Sequence, residues 1–171
     1  MIPQVALILI VLIISIIFDV KFRRIPNWLT FPAIGAGIVF NTLAGGVQGL
    51  LAGIAGMIVG FLLFILFYML GGMGAGDVKL AAAIGAFLGP RDILWSALLT
   101  AIAGGCYAVI VLIAKGYTKD VARRYFFMIK MFLVTRNLTY IPGEGIAKAP
   151  RLAYAIPIAV GTSLVLAKKF M

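Results

Sequence analysis

Histidine is absent from this 171-residue chain, and cysteine occurs once, as Cys106. Without histidine there is no Ser/His or Cys/His catalytic pair and no imidazole-ligated metal. A single cysteine excludes a disulfide within the chain and a thiolate cluster for zinc. Acidic residues are nearly as scarce, Asp19, Asp77, Asp92, Asp120 and Glu144 being all there are. Charged residues of every kind make up 12% of the chain, about half the share in a soluble domain.

What the chain has instead is apolar surface. Hydrophobic residues make up 64% and recur along the whole length, more than a protein of this size can hide in a water-soluble core. A bilayer accommodates them, and each spanning helix needs about 20 apolar residues. Six runs qualify: Ile2 to Phe18, Trp28 to Ala44, Val47 to Leu70, Asp77 to Leu88, Ile93 to Ala114 and Leu152 to Ala167. The fourth is short, and Gly89-Pro90 closes it. Gly45-Gly46 marks a turn between the second and third, and Pro157 is expected to kink the sixth. The first run lacks a basic start, and Asp19 and Lys21 stand where a signal peptide would carry small residues, so it reads as a retained helix. The expected fold is all-α, a polytopic membrane protein of about six transmembrane helices forming one domain over 1–171.

The net charge is +10. The basic residues lie between apolar runs, which reports topology rather than nucleic-acid binding. In the six-helix arrangement 12 of the 15 Lys and Arg residues fall on one side, in 21–24, at Lys79 and in 115–151. That side is expected to be cytoplasmic, with both termini outside. The segment 121–133 mixes Arg123, Arg124 and Lys130 with Tyr125, Phe126, Phe127 and Phe132. It reads as a basic amphipathic helix on the inner membrane surface, where anionic lipid headgroups are its expected partners. Small residues at four-residue spacing, Gly49/Gly53, Gly56/Gly60 and Ala81/Gly85/Gly89, are expected to let helix backbones approach closely.

A carboxylate at a membrane helix marks a functional site. Asp19 ends the first run, and Asp77 begins the fourth directly after Gly74-Ala75-Gly76. Singly, Asp19 suits an interfacial ion pair with Lys21, Arg23 or Arg24, and Asp77 a helix N-cap. Jointly, they are two carboxylates on one membrane face. Two that are held close share a proton, so one serves as general base and the other as general acid. Such a pair activates water and cleaves a peptide bond with no histidine or serine. The same pair also suits an ion- or proton-coupled transporter, or, with further oxygen ligands, a Mg²⁺ site. The small-residue stripes also suit a non-enzymatic subunit of a secretion assembly. Asp92 reads as the N-cap of the fifth helix, Asp120 as solvated, and Glu144 as part of a turn. Lys79, two residues after Asp77, points away from it on a regular helix and snorkels to the interface.

Gly74-Ala75-Gly76-Asp77, with Val78-Lys79-Leu80, resembles the GxGD motif of the type IV prepilin peptidases. Asp19 with Arg23-Arg24-Ile25-Pro26-Asn27 is similar to that family's first aspartate region. Ala153-Tyr154-Ala155-Ile156-Pro157 with Gly161 is similar to its last helix. The resemblance covers nearly the whole chain. It implies an aspartic endopeptidase in the cytoplasmic membrane that needs no cofactor. Such an enzyme removes a short basic leader, cut after a glycine, from prepilin-like precursors with an apolar helix. It also implies Asp19 and Asp77 as the catalytic pair, with Gly74, Gly76 and Lys79 shaping the second aspartate's loop or touching substrate. Larger members of the family carry paired cysteines ahead of the first helix and also N-methylate the product. This chain has no cysteine pair, so it resembles the short, peptidase-only branch associated with tight-adherence pili, and N-methyl transfer is not expected of it.

Overall fold

A computed structural model describes residues 2–114, 116 and 152–170. The chain divides into two compact units, Met1–Gly104 together with Leu152–Met171, and Gly105–Arg151. The first unit carries both candidate aspartates. The basic segment 115–151, with the amphipathic helix expected in 121–133 and with Asp120 and Glu144, lies outside the described residues apart from Gly116.

The described residues form helices and no strand. In chain order these are α1 (Ile2–Phe22), α2 (Asn27–Met69), α3 (Ala75–Leu88), α4 (Pro90–Ala114) and α5 (Ala155–Phe170). Three of them, α1, α2 and α4, are long and apolar enough to cross a membrane. Their outward surfaces carry large apolar side chains such as Ile13, Leu43, Phe61 and Leu98, the reverse of a water-facing surface and the arrangement that lipid requires.

At 43 residues, α2 would reach about 65 Å if straight, twice the hydrocarbon thickness. It is not straight. Gly46 adopts φ 57° and ψ −136°, a conformation open essentially to glycine alone, and divides α2 into two arms. The arms run back along each other. A side chain on Gly49 would strike the Asn41 carbonyl, and one on Gly53 would come within 3.3 Å of the Ile38 Cα. The turn expected at Gly45-Gly46 is therefore the bend of a helical hairpin.

Helix α3 is the centre of the unit. From Leu80 to Leu88 every residue is buried. Its own small residues and the glycines of α2 make this possible. A Cβ on Gly56 would meet the Gly85 carbonyl and the Gly89 backbone, one on Gly60 the Ala81 carbonyl, and one on Gly37 the Ala86 and Phe87 backbone. Both arms of the hairpin thus lie against α3 at backbone distance, which is what the expected small-residue stripes are for. The far end of α3 is held by side-chain amides. Asn41 Nδ2 donates to the carbonyls of Ala86 (2.7 Å) and Phe87 (3.0 Å), and Gln4 Nε2 on α1 donates to Phe87 (2.7 Å). These satisfy carbonyls that a helix end leaves without partners.

Several boundaries differ from those expected. Helix α1 runs past Phe18 to Phe22, so Asp19 lies inside its last turn. The helix ends where Arg23 takes a positive φ of 54° and donates its N–H to the Asp19 carbonyl at 2.9 Å, a left-handed terminus usually given to glycine. Helix α4 starts at Pro90, a position that suits proline because the first N–H of a helix has no partner. Asp92 is accordingly in the first turn of α4 and is not its cap. Helix α5 starts at Ala155, which makes Pro157 its third residue. Its missing N–H is one that a helix start leaves unused, so no kink follows.

Candidate active site

One helix end and two helix starts converge in the first unit. Asp19 comes from the last turn of α1 and Asp77 from the first turn of α3, and both are buried, at 6% and 5% exposure. Burying two carboxylates among apolar helices is costly unless each has hydrogen-bond donors. Each has one from the backbone. Asp77 Oδ2 accepts the Gly74 N–H at 3.0 Å, and Asp19 Oδ2 accepts the N–H of Ala155, the first residue of α5, at 3.1 Å. The two carboxylates are near enough for the Asp19 charge to act on Asp77. The charge of Arg23, just beyond α1, acts on Asp19.

Asp77 is the third residue of α3, not its N-cap. Gly74 holds the cap position, its N–H bonded by the Asp77 side chain and its carbonyl by the Asp77 N–H at 3.1 Å. This is the reciprocal half of a capping box, which fixes the carboxylate against the start of its own helix. A negative charge is favoured there by the helix dipole.

The two motif glycines do different work. A Cβ on Gly76 would lie 3.0 Å from Ile25 Cβ and 3.1 Å from Ile25 N, so the 23–26 link between α1 and α2 presses directly on it. At Gly74 the nearest atom would be Asp77 Oδ2 at 3.5 Å, an ordinary contact, and the part this residue plays is its N–H. Lys79 turns away from Asp77. Its Nζ donates to Asn27 Oδ1 at 2.8 Å and lies 5.6 Å from the centre of the Phe31 ring, so it ties the start of α3 to the start of α2. Among the described residues, no group of three Asp, Glu, Cys or His residues gathers in a way that could hold a metal.

Sequence reasoning did not place two contributors. One is the Ala155 N–H on Asp19. The other is Tyr154, the residue before α5, whose phenol is half-buried. The phenol is near enough for the charge of Asp77 to act on it. The signal for both was the Ala153–Pro157 stretch, which carried part of the family resemblance. Ser15, one turn before Asp19 on α1, is fully buried, and its hydroxyl has no partner among the described residues.

The arrangement is a buried pair of coupled carboxylates, each with one oxygen pinned by a backbone donor. The type IV leader peptidase family matches residues 6–109, which include both aspartates. The prepilin leader peptidase/N-methyltransferase of Neisseria gonorrhoeae is 35% identical over 118 residues, covering 64% of this chain and 41% of that protein. The protein of the same name from Aeromonas salmonicida (strain A449) is 31% identical over 113 residues, 63% of this chain and 39% of its own. That of Burkholderia pseudomallei (strain 1026b) is 35% identical over 99 residues, 54% and 32% respectively. The chain spans about two fifths of the length of the first two of these relatives. No solved structure matches it.

Proposed function

Since the chain belongs to the type IV leader peptidase family, we propose that it is an aspartic endopeptidase of the cytoplasmic membrane, with Asp19 and Asp77 as its catalytic pair. The observation that carries this reading is the burial of these two carboxylates together, one charge acting on the other, at the ends of α1 and α3.

Two coupled carboxylates hold one proton between them more readily than none or two. The ionised member takes a proton from a water molecule as its oxygen adds to the scissile carbonyl. The protonated member donates to the carbonyl oxygen as the tetrahedral intermediate forms. On collapse the C–N bond breaks, the leaving nitrogen receives a proton from one carboxyl, the other carboxylate takes the proton of a hydroxyl of the intermediate as the new carboxyl C=O forms, and the pair is left with the single proton it began with. The backbone N–H groups of Ala155 and Gly74 keep the carboxylates oriented through the cycle, so geometry is set before the substrate arrives.

The substrate of this reading is a prepilin-like precursor, a short basic leader followed by an apolar helix. The leader's positive charge suits a site whose reacting groups are carboxylates. The apolar helix enters from the lipid that surrounds the helices. With the two arms of α2 counted as separate crossings, and α3 and α5 added, the chain crosses six times with both termini outside. The positive-inside rule then places Asp19 and Asp77 near the cytoplasmic face, and the basic segment 115–151 meets anionic headgroups there. We do not assign N-methyl transfer to this chain, which has Cys106 and no cysteine pair.

The test is reconstitution. Purified chain in liposomes, given a prepilin, should release the leader as one fragment identified by mass spectrometry. Intact precursor, together with Asp-dependent ion flux into the same liposomes, would overturn the peptidase reading in favour of transport.

A further inference from the structure

Tyr154 is not used by the carboxylate pair, yet it stands beside both members. Residues 152 and 153 are not helical, and α5 begins at Ala155. Tyr154 is therefore the residue immediately before the N–H that holds Asp19. The Asp77 charge also acts on its phenol. The ring has a place made for it on α4, since a Cβ on Gly104 would lie 3.8 Å from Tyr154 Cε1 and 3.7 Å from Pro157. Its backbone is fixed as well, the carbonyl accepting the Ile158 N–H at 3.2 Å. Among the described residues the phenol oxygen has no hydrogen-bond partner. A phenol held next to the carboxylates, with no hydrogen-bond partner among the described residues, is poised for a group that arrives from outside.

We propose that Tyr154 contacts the substrate, its O–H donating a hydrogen bond to a backbone carbonyl of the precursor next to the scissile bond and holding that bond against Asp19 and Asp77. The inference rests on the peptidase reading above. It follows from what a cut requires. A peptide bond is reachable only where the substrate backbone is extended, and an extended segment in an apolar site has carbonyls without donors. The chain has no histidine, Lys79 is engaged on Asn27 and the Arg23 charge acts on Asp19, and the phenol is a neutral side-chain donor on the α5 side of the pair. A tyrosine phenol is protonated at neutral pH, so it donates throughout and takes no part in the proton transfers.

The test compares the parent chain with Tyr154→Phe in liposomes, measuring kcat and KM for a prepilin and the melting temperature of each protein. The phenylalanine variant keeps the ring against Gly104 and removes only the hydroxyl. The expected result is an unchanged melting temperature with kcat/KM lowered about 10-fold or more, the scale set by loss of one positioned donor. A second measurement replaces Tyr154 by the photo-crosslinking p-benzoylphenylalanine in an Asp77→Asn background, and is expected to capture the precursor within a few residues of its cleavage site. If the parent cleaves and Tyr154→Phe does so with parental kcat/KM, the role of Tyr154 is overturned while the peptidase reading stands. If the parent does not cleave, the peptidase reading fails and this inference fails with it.

Discussion

The backbone N–H of Ala155 donates to the carboxylate of Asp19 at 3.1 Å, joining positions 136 residues apart in the chain. The last described helix is thereby fastened to the first at the point where the chemistry is placed. An asparagine at position 19 can still accept that bond, whereas a leucine cannot and would leave a buried N–H unpaired. Asp19→Asn is expected to melt within about 1 kcal/mol of the parent, and Asp19→Leu to lose about 1–3 kcal/mol. Thermal or denaturant unfolding in detergent checks the difference.

Gly76 and Gly74 separate cleanly as a pair. Gly76→Ala drives a methyl group into Ile25, including its backbone nitrogen at 3.1 Å. It is expected to cost about 1–3 kcal/mol and to displace the Asp77 loop. Gly74→Ala meets only ordinary contact at 3.5 Å and keeps the N–H that Asp77 uses. Its stability should stay close to that of the parent, as side-by-side melting curves would show.

Lys79 bonds Asn27 at an exposed site. Lys79→Met should cost about 1 kcal/mol at most and reduce cleavage only several-fold, through a looser start of α3. A loss of cleavage as complete as that expected for the aspartate variants would instead make Lys79 part of the reacting site.

Asn41 grips the carbonyls of Ala86 and Phe87 at the end of α3 remote from Asp77, about 15 Å along the helix. Asn41→Leu removes bonds worth about 0.6 kcal/mol each in a membrane protein. It is expected to lower stability by about 1–2 kcal/mol and to leave kcat unchanged. Unfolding and turnover measured on one preparation separate the two effects.

How much of this was legible in the sequence depends on whether a feature resides in a side chain's identity. Asp19 and Asp77 stood out because acidic residues are so few, and because each lies at an apolar run's end. The hairpin bend stood out because Gly45-Gly46 interrupts a run too long for one crossing. The spacing of Gly56, Gly60, Ala81 and Gly85 announced close packing, although not that α3 would be the helix both arms of α2 enclose. The end of α1 was misplaced because Asp19 and Lys21 look like a water boundary. The helix continues one more turn, since the Asp19 side chain faces inward and the stop is made by the Arg23 backbone. The Ala155 N–H could not be singled out within the Ala153–Pro157 stretch, because every residue except proline carries that donor. Gly74 and Gly76 look equivalent in a motif and differ only once Ile25 is packed against one of them.

The central claim is that Asp19 and Asp77 act as one catalytic pair, and cleavage of a co-expressed prepilin tests it most directly. The parent chain, Asp19→Asn and Asp77→Asn are compared at matched membrane levels, with leader removal followed by the shift in precursor mass. The account predicts full cleavage by the parent and none detectable by either variant. Near-parental cleavage by either single variant would contradict it.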